Sequence, residues 1–239
     1  MKDIDTTLFD RHPLAVDFFD DFHKYSTTRW LFTDTPTGIG NNTAALVTDG
    51  TASAVKITNE DSQDAEGTLS SKTSFDITST RPLVFECRLL SAATQQAIFA
   101  GHHSVGSTVF TSASAIAGTW SGFGFYKLAG ETAWTFASHV STTSYGSNTC
   151  EFSYSSSVYQ SFRVTVVPVS STIALVTPMI DVLGGTDYKQ LVDSTSGLPV
   201  QHELTYTSYA TAFVTFATAQ GSGANTTLAI DSARTRQRR

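Results

Sequence analysis

The clearest pattern in the chain is an alternation of apolar and polar side chains over residues 83–90. The apolar positions recur at every second residue: Leu83, Phe85, Cys87, Leu89. Successive side chains of a β-strand point to opposite faces, so this spacing predicts a strand with one face in a core. The charged side chains between these positions mark the face that meets water.

Other apolar segments are short and are separated by Gly, Ser, Asn and Pro. Two pairs predict hairpins, namely 123–126 with 134–137 and 161–167 with 173–176. The Ser/Thr-rich segments 106–121 and 141–157 predict loops, with edge strands as the alternative. No segment has a long helical spacing of apolar residues, so the expected class is all-β with little helix. The other predicted strands are 45–47, 54–57, 97–101, 212–216 and 227–230.

Composition supports one β domain. The chain has 239 residues, of which 15% are charged, whereas average soluble domains have about 25%. Ser, Thr and Ala replace the missing charge, and Thr suits strands. We predict an extended arm over residues 1–16, interrupted by Pro13, a β-sandwich domain over residues 17–233 and a basic tail over residues 234–239.

The formal net charge is −6, which does not suggest a nucleic-acid binder, because such proteins usually present a basic face. Neither a signal peptide nor an apolar run of about 20 residues is evident, so we expect a protein made in a cytoplasm and not held in a membrane. Positive charge is concentrated in residues 234–239, which include Arg234, Arg236, Arg238 and Arg239. This segment is either a solvated end or an anchor on an acidic partner surface.

The pair His102–His103 is the most conspicuous candidate for metal binding. Adjacent residues of a strand point to opposite faces, which disfavours a shared metal and favours packed side chains. The acidic segment 59–66 offers oxygen ligands for calcium, but it lacks the spacing of a calcium loop. We therefore expect neither a metal nor another cofactor, with a solvated loop as the simpler interpretation of the acidic segment.

Catalytic patterns are weak. The carboxylate cluster E-x-D-x-x-E of sandwich glycosidases is absent, and so is the nucleophile elbow G-x-S-x-G. Cys87 lies on the apolar face of its predicted strand, which indicates a core residue. A disulfide between Cys87 and Cys150 is the alternative, although a reducing compartment disfavours it. The sequence therefore favours binding or assembly over catalysis.

Aromatic residues supply the material for a sugar-binding surface, since sugars stack on exposed rings. Most aromatic side chains of a sandwich belong to the core, so the sequence leaves both roles open. The candidates are Trp30, Trp120, Trp134, Tyr126, Tyr154 and Tyr159.

The order of these segments resembles the concanavalin A-like (laminin G-like) jelly-roll domains of tailed-bacteriophage virion proteins. The resemblance covers residues 17–237 as a pattern of strands, so it carries over no functional residue. Pro168, Pro178 and a long insertion over residues 181–199 depart from the pattern and put the local topology in question. The segments that carry the resemblance are DFFDDF, Trp30, LVFECRL, AIFAG, GFGFY, YQSFRVTV and LAIDSARTRQ.

The resemblance implies an antiparallel jelly-roll β-sandwich that decorates or cements a phage capsid. Its partners would then be the major capsid protein and further copies of itself, and its location would be the exterior of the virion. The main alternative is a carbohydrate-binding module on a head fibre or similar appendage, with a glycan as ligand. A degenerate glycoside hydrolase is the third hypothesis, for which two carboxylates would have to meet in a cleft.

Overall fold

The computed structural model describes residues 15–35, 42–49, 52–59, 64–77, 81–91, 93–104, 108–206, 211–221 and 226–238. These residues form two large antiparallel sheets and one small hairpin. In these ranges, no helix is long and apolar enough to cross a membrane. The antiparallel β-sandwich predicted from the alternation is confirmed.

We call the seven-stranded sheet the front sheet, and its strand order is β12-β11-β10-β7-β17-β5-β2. Every pairing in it is antiparallel. Its strands are β2 (Trp30–Thr35), β5 (Glu66–Asp76), β7 (Gln96–His103), β10 (Gly122–Lys127), β11 (Ala133–Val140), β12 (Thr143–Ser153) and β17 (Thr211–Gln220).

We call the nine-stranded sheet the back sheet, and its main order is β15-β14-β13-β6-β18-β4-β3. In addition, β1 pairs with β18 and β16 pairs with β14. Its strands are β1 (Ala15–Asp20), β3 (Thr43–Asp49), β4 (Ala52–Asn59), β6 (Leu83–Ser91), β13 (Gln160–Pro168), β14 (Ile173–Asp181), β15 (Lys189–Gln190), β16 (His202–Thr205) and β18 (Thr226–Arg238). The small hairpin consists of β8 (Phe110–Ser112) and β9 (Ala115–Ile116).

The core lies between the two sheets and is rich in aromatic rings. Phe125 of the front sheet has its ring centroid 4.8 Å from Phe162 of the back sheet and 5.2 Å from Phe136 of the adjacent strand. The predicted apolar face of β6 points into this core, and its four side chains are at most 3% exposed. Each buried aromatic ring removes a large apolar area from water, which makes this layer the main source of stability.

Both predicted hairpins form, as β10–β11 and β13–β14. Pro168 ends β13, and Pro178 lies within β14 opposite Val164. The two prolines therefore leave the β13–β14 hairpin intact. The predicted loop 141–157 is mostly β12, a strand at the edge of the front sheet. The edge-strand alternative was the correct one, because Ser and Thr suit a strand with one open side.

The C-terminal segment differs from the predicted basic tail. Arg234, Arg236 and Arg238 lie within β18, which pairs with β1 and β6 through Gln237, while Arg239 is outside the described residues. The arginines alternate with buried residues that face the core: Ala233, Thr235 and Gln237. The segment is thus a half-buried strand with period 2, and its charge density concealed that pattern.

The N-terminal arm is described only from Ala15, and residues 1–14 lie outside the described ranges. Ala15 and Val16 begin β1 and pair with Arg238 and Gln237. The end of the predicted arm therefore belongs to the sandwich, and its strand partner is β18 of the same chain.

Candidate ligand-binding groove

A groove of about 310 Å³ lies on the outer face of the front sheet, which is the face turned away from the back sheet. Outward residues of three strands lie side by side in its floor. Thr33 is paired with Thr68, and Ser70 is paired with Leu31 and Thr215. Neighbouring strands are about 4.8 Å apart, so the hydroxyl groups form a closely spaced patch. The full lining is Leu31, Thr33, Thr35, Glu66, Thr68, Ser70, His103, Ser104, Thr108 and Thr215.

The groove combines exposed hydroxyl groups with one apolar side chain. Thr33, Thr35 and Thr108 are exposed, and Leu31 is 49% exposed. A hydroxyl group both donates and accepts hydrogen bonds, whereas Leu31 offers a surface for C–H groups. This lining suits a ligand that carries many hydroxyl groups around an apolar face.

Thr108, which lines the groove, is the first residue of the segment 108–121, which we call the flap. The flap contains the β8–β9 hairpin and packs on the front sheet through a second apolar cluster, separate from the main core. The sheet side of this cluster includes Phe99, Tyr126 and Ala217, and the flap side includes Phe110 and Trp120. The sequence predicted a loop here, with edge strands as the alternative. Its composition could not show the packing of the flap, because the partners of the flap lie on several other strands.

Two carboxylates, one buried and one partly buried, attach the flap to the sheet. Glu66, which is 3% exposed, accepts hydrogen bonds from the backbone N–H groups of Val109 at 3.0 Å and Phe110 at 2.9 Å. Asp64 accepts one from the N–H of Ala113 at 2.7 Å. Hydrogen bonds from backbone N–H groups to a charged acceptor are stronger than neutral ones. Asp64, which precedes β5, and Glu66, which begins it, therefore fix the position of the flap.

A stack of three rings holds the other end of the flap. The indole of Trp120 lies between the imidazoles of His103, with centroids 5.2 Å apart, and His139, with centroids 4.7 Å apart. Gly122 lies between the two histidines in the strand register. A Cβ at Gly122, where φ is +151°, would meet the carbonyl oxygen of His102 at 1.8 Å and the Trp120 ring at 3.2 Å. Glycine is thus required for the close approach of the indole.

Burial keeps these imidazoles neutral near pH 7. Desolvation lowers the pKa of His103 to about 4, against a smaller raising effect from its hydrogen bond to the Ser104 carbonyl. Burial also lowers the pKa of His139 and lowers that of His202 to about 4. A charge on His139 would further oppose protonation of His103 and of His202.

The histidine pair His102–His103 occupies opposite faces of β7, as the strand geometry predicts. His102 points into the main core, where its Nε2 lies 3.0 Å from Thr235 Oγ1, and burial lowers its pKa to about 3. His103 points outward and meets Trp120. Among the described residues, no three His, Cys, Asp or Glu side chains form a group that could hold a metal ion.

The aromatic residues proposed for sugar binding lie mostly inside the molecule. Trp30, Trp120 and Trp134 are at most 2% exposed, and Tyr126 is 9% exposed. Tyr154 packs over the Lys127 ammonium and Tyr159 over the Arg88 guanidinium. The groove is lined by Thr and Ser instead. The alternation Thr33-x-Thr35 on β2 and Thr68-x-Ser70 on β5 was the signal in the sequence that could have indicated it.

Of the predicted partner-binding arginines, the described ones, Arg234, Arg236 and Arg238, lie on the outer face of the back sheet, away from the groove. Arg234 belongs to a network in which each arginine pairs with a carboxylate and packs against an aromatic ring. The triples are Arg88 with Asp231 and Tyr159, Arg163 with Glu86 and Tyr188, and Arg234 with Asp17 and Phe19. The charges of this face are therefore largely matched within the chain.

The two cysteines are not bonded to each other. Cys87 and Cys150 are free and buried, and burial raises the pKa of both thiols. Both belong to the main core cluster, so the interpretation of Cys87 as a core residue is confirmed. A buried thiol with a raised pKa is a poor nucleophile.

Comparison with solved structures shows a legume lectin-like fold. The carbohydrate recognition domain of Emp47p matches with a TM-score of 0.57 at 13% identity, covering 92% of this chain and 93% of that domain. The exoplasmic/lumenal domain of VIP36, in its Ca²⁺/Man₃GlcNAc-bound form, matches with a TM-score of 0.54 at 11% identity, covering 87% and 86%. A legume lectin-like domain from Entamoeba histolytica matches with a TM-score of 0.52 at 8% identity, covering 87% and 89%. No family model and no curated protein matches the sequence.

The concanavalin A-like jelly-roll fold expected from the sequence is therefore confirmed. Nothing in these matches indicates a phage virion protein, so the capsid-decoration role, its capsid partner and the virion location remain predictions.

The VIP36 structure holds Ca²⁺, which raises the question of whether the groove suits a cation. The described carboxylates near it already have donors from the protein. Glu66 and Asp64 hold the flap, and Asp34 accepts a hydrogen bond of 2.7 Å from the Asn42 amide. The described groove lining therefore does not match the clustered, free oxygen ligands that calcium prefers.

Proposed function

We propose that this protein is a carbohydrate-binding domain that holds a glycan in the groove on the outer face of the front sheet. The observation that carries this proposal is the pair of exposed hydroxyl groups of Thr33 and Thr35 on β2, bordered by Leu31. The hydroxyl groups beside them on β5 and β17 already hydrogen-bond within the chain. Carbohydrates present hydroxyl groups around an apolar ring face, and this lining is complementary to both. The lectin-like fold supports the proposal, because the structures that share it include carbohydrate recognition domains.

Binding is favoured over catalysis by the charges of the groove. Glycoside hydrolysis normally needs two carboxylates about 5–10 Å apart. Within the described lining, Glu66 is the one carboxylate, and it accepts hydrogen bonds from two backbone N–H groups and from the Thr68 hydroxyl at 2.7 Å. A carboxylate so engaged is poorly placed to act as a nucleophile or acid. The groove thus suits recognition.

The hydroxyl groups of β2 provide the direct test. Valine has the shape of threonine and favours strands, so Thr33→Val with Thr35→Val removes two exposed hydroxyl groups with little change in packing. Each lost hydrogen bond is worth about 1 kcal/mol, so we expect the double variant to bind at least about tenfold more weakly. The wild-type ligand would first be found on a glycan array and its affinity then measured by calorimetry.

Thr143→Val is the matched control, since Thr143 is exposed at the start of β12, at the opposite edge of the front sheet. It should bind as the wild type does. If the wild type binds no glycan on the array, the proposed function is wrong. If the double variant binds as tightly as the control, the ligand lies elsewhere.

A further inference from the structure

The flap is attached to the front sheet at both ends, by two carboxylates at one end and by two histidines at the other. Glu66 and Asp64 hold residues 109–113 through backbone N–H groups. His103 and His139 hold Trp120 by stacking. Two further backbone bonds join the end of the flap to the sheet region, from Trp120 N–H to Ser141 O and from Ser104 N–H to Ser121 O. We propose that the flap is an acid-released lid on the groove, closed while His103 and His139 are neutral and opened when they take up protons.

The ring stack leaves polar atoms unsatisfied in the closed state. His103 Nε2, Trp120 Nε1 and His139 Nδ1 are buried and have no hydrogen-bond partner among the described residues. Buried polar atoms without partners are uncommon in folded proteins and cost free energy. Opening the flap would give all three atoms access to water. These three unsatisfied atoms therefore lie at the boundary where the flap would separate from the sheet.

The surroundings of the two histidines disfavour a proton while the flap is closed. His103 faces the Ser104 carbonyl, the ring of Phe99 and the ring of Trp120. His139 faces Trp120. A positive charge on His139 would lower the pKa of His103 and of His202. A proton on one imidazole therefore opposes a proton on the next.

Proton uptake is consequently linked to opening. The pKa of His103 is about 4 with the flap closed, and an exposed histidine titrates near pH 6.5. Between these values the open state binds the proton and the closed state does not. The opening equilibrium constant should therefore rise by about tenfold per pH unit below 6.5 through His103 alone. His139 adds to this effect, since burial lowers its pKa too.

Opening would also change the groove. His103 and Thr108 both line it, and they belong to the two sides that separate when the flap leaves the sheet. The lid would thus couple pH to the shape of the wall that faces a bound ligand.

Amide hydrogen exchange on the full chain tests the lid directly. Val109, Phe110 and Ala113 donate the hydrogen bonds that hold the flap, so their protection factors report its opening. After correction for the intrinsic pH dependence of exchange, we expect these factors to fall at least about tenfold from pH 7.5 to pH 5.5. At both pH values they should remain below those of β13, which exchanges through larger openings.

Replacing the histidines by a ring that cannot be protonated isolates the cause. In His103→Phe with His139→Phe, the rings can still stack, so the pH dependence of flap exchange should largely disappear. His23→Phe is the control, because the His23 side chain is 76% exposed, and it should behave as the wild type.

Either of two wild-type results would overturn the lid. One is flap protection that does not change with pH, and the other is flap protection equal to that of β13 at both pH values, which would mean that the flap opens only on global unfolding. The wild-type series decides this even if the double variant does not fold. The measurement needs no glycan, so its failure leaves the proposed function standing, and an empty glycan array leaves the lid standing.

Discussion

The outer faces of the two sheets use charge in opposite ways. On the back sheet, three arginines stand at the surface, each paired with a carboxylate and an aromatic ring. On the front sheet, the carboxylate of Glu66 is buried and holds backbone N–H groups of the flap, while the histidines are buried and neutral. The exposed groups that remain on the front face are mainly hydroxyl groups.

The back face is thus lined by paired charges, whereas the groove on the front face is lined mainly by uncharged hydroxyl groups. A ligand on the back face would have to compete with ion pairs that already form within the chain. Hydroxyl groups at the groove lose little by exchanging water for a ligand, because each can donate or accept. The comparison agrees with the proposed binding site on the front face. It can be tested by measuring how much the groups of each face contribute to the stability of the fold.

The largest effect on the free energy of unfolding should come from three buried histidines, His102 and His103 on β7 of the front sheet and His202 on β16 of the back sheet. The pKa is about 3 for His102 and about 4 for His103 and His202, against about 6.5 in the unfolded chain. Because the unfolded chain takes up these protons first, stability is constant above pH 6.5 and falls as the pH drops below it. At pH 5 the loss should be about 2 kcal/mol per histidine, so about 6 kcal/mol for the three.

Urea denaturation at pH 7.5 and pH 5 measures this loss. In His102→Leu one of the three histidines is removed, so the difference between the two pH values should shrink by about 2 kcal/mol, even if the variant is less stable at both. A free energy of unfolding that is equal at pH 7.5 and pH 5 would contradict the assignment of buried, neutral imidazoles.

A smaller effect is expected from the carboxylate that holds the flap. In Glu66→Gln, an amide N–H₂ replaces one acceptor oxygen, so the N–H of either Val109 or Phe110 loses its partner. A buried donor left without an acceptor costs about 1–3 kcal/mol. We expect a loss of this size in urea denaturation at pH 7.5.

Glu203→Gln provides the comparison, since Glu203 is exposed on β16 and its replacement should change stability by less than about 0.5 kcal/mol. Equal stability of the two variants would show that the Glu66 hydrogen bonds contribute nothing net.

The strands were predictable from sequence wherever one face is buried and the other meets water. The face of β6 and the two hairpins follow from alternation alone, because a strand side chain reaches the core at every second position. In β18 the same alternation is present, but two of the three buried residues between the arginines, Thr235 and Gln237, are polar, so no apolar stripe is visible. The high density of arginines in this segment was more conspicuous in the sequence than the two-residue periodicity of the strand.

The groove and the flap could not be predicted from the sequence, for a different reason. Glu66 and Asp64, which hold the flap, lie more than 40 residues from their partners along the chain. The stacking of Trp120 between His103 and His139 depends on the register of the front sheet. The groove is lined mainly by Thr and Ser, which are common throughout this sequence, so their alternation on β2 and β5 does not stand out. Four of the six aromatic residues that the sequence suggested for a sugar surface are instead buried in the two cores, namely Trp30, Trp120, Trp134 and Tyr126.

The smallest effect should come from the back face. Arg234 donates two hydrogen bonds to Asp17, at 3.1 and 2.6 Å, but the two side chains are 30% and 44% exposed. Exposed ion pairs contribute about 0–1 kcal/mol and are screened by salt. In Arg234→Gln we therefore expect less than about 1 kcal/mol lost in urea denaturation, and a smaller loss at high salt. A double-mutant cycle with Asp17→Asn isolates the pair energy. If that energy equalled the cost of Glu66→Gln, the contrast between the faces would fail, because the back face would then be stabilising the fold as strongly as the acids that hold the flap. A small value would leave its arginines available for the acidic partner predicted from the sequence, at little cost to folding.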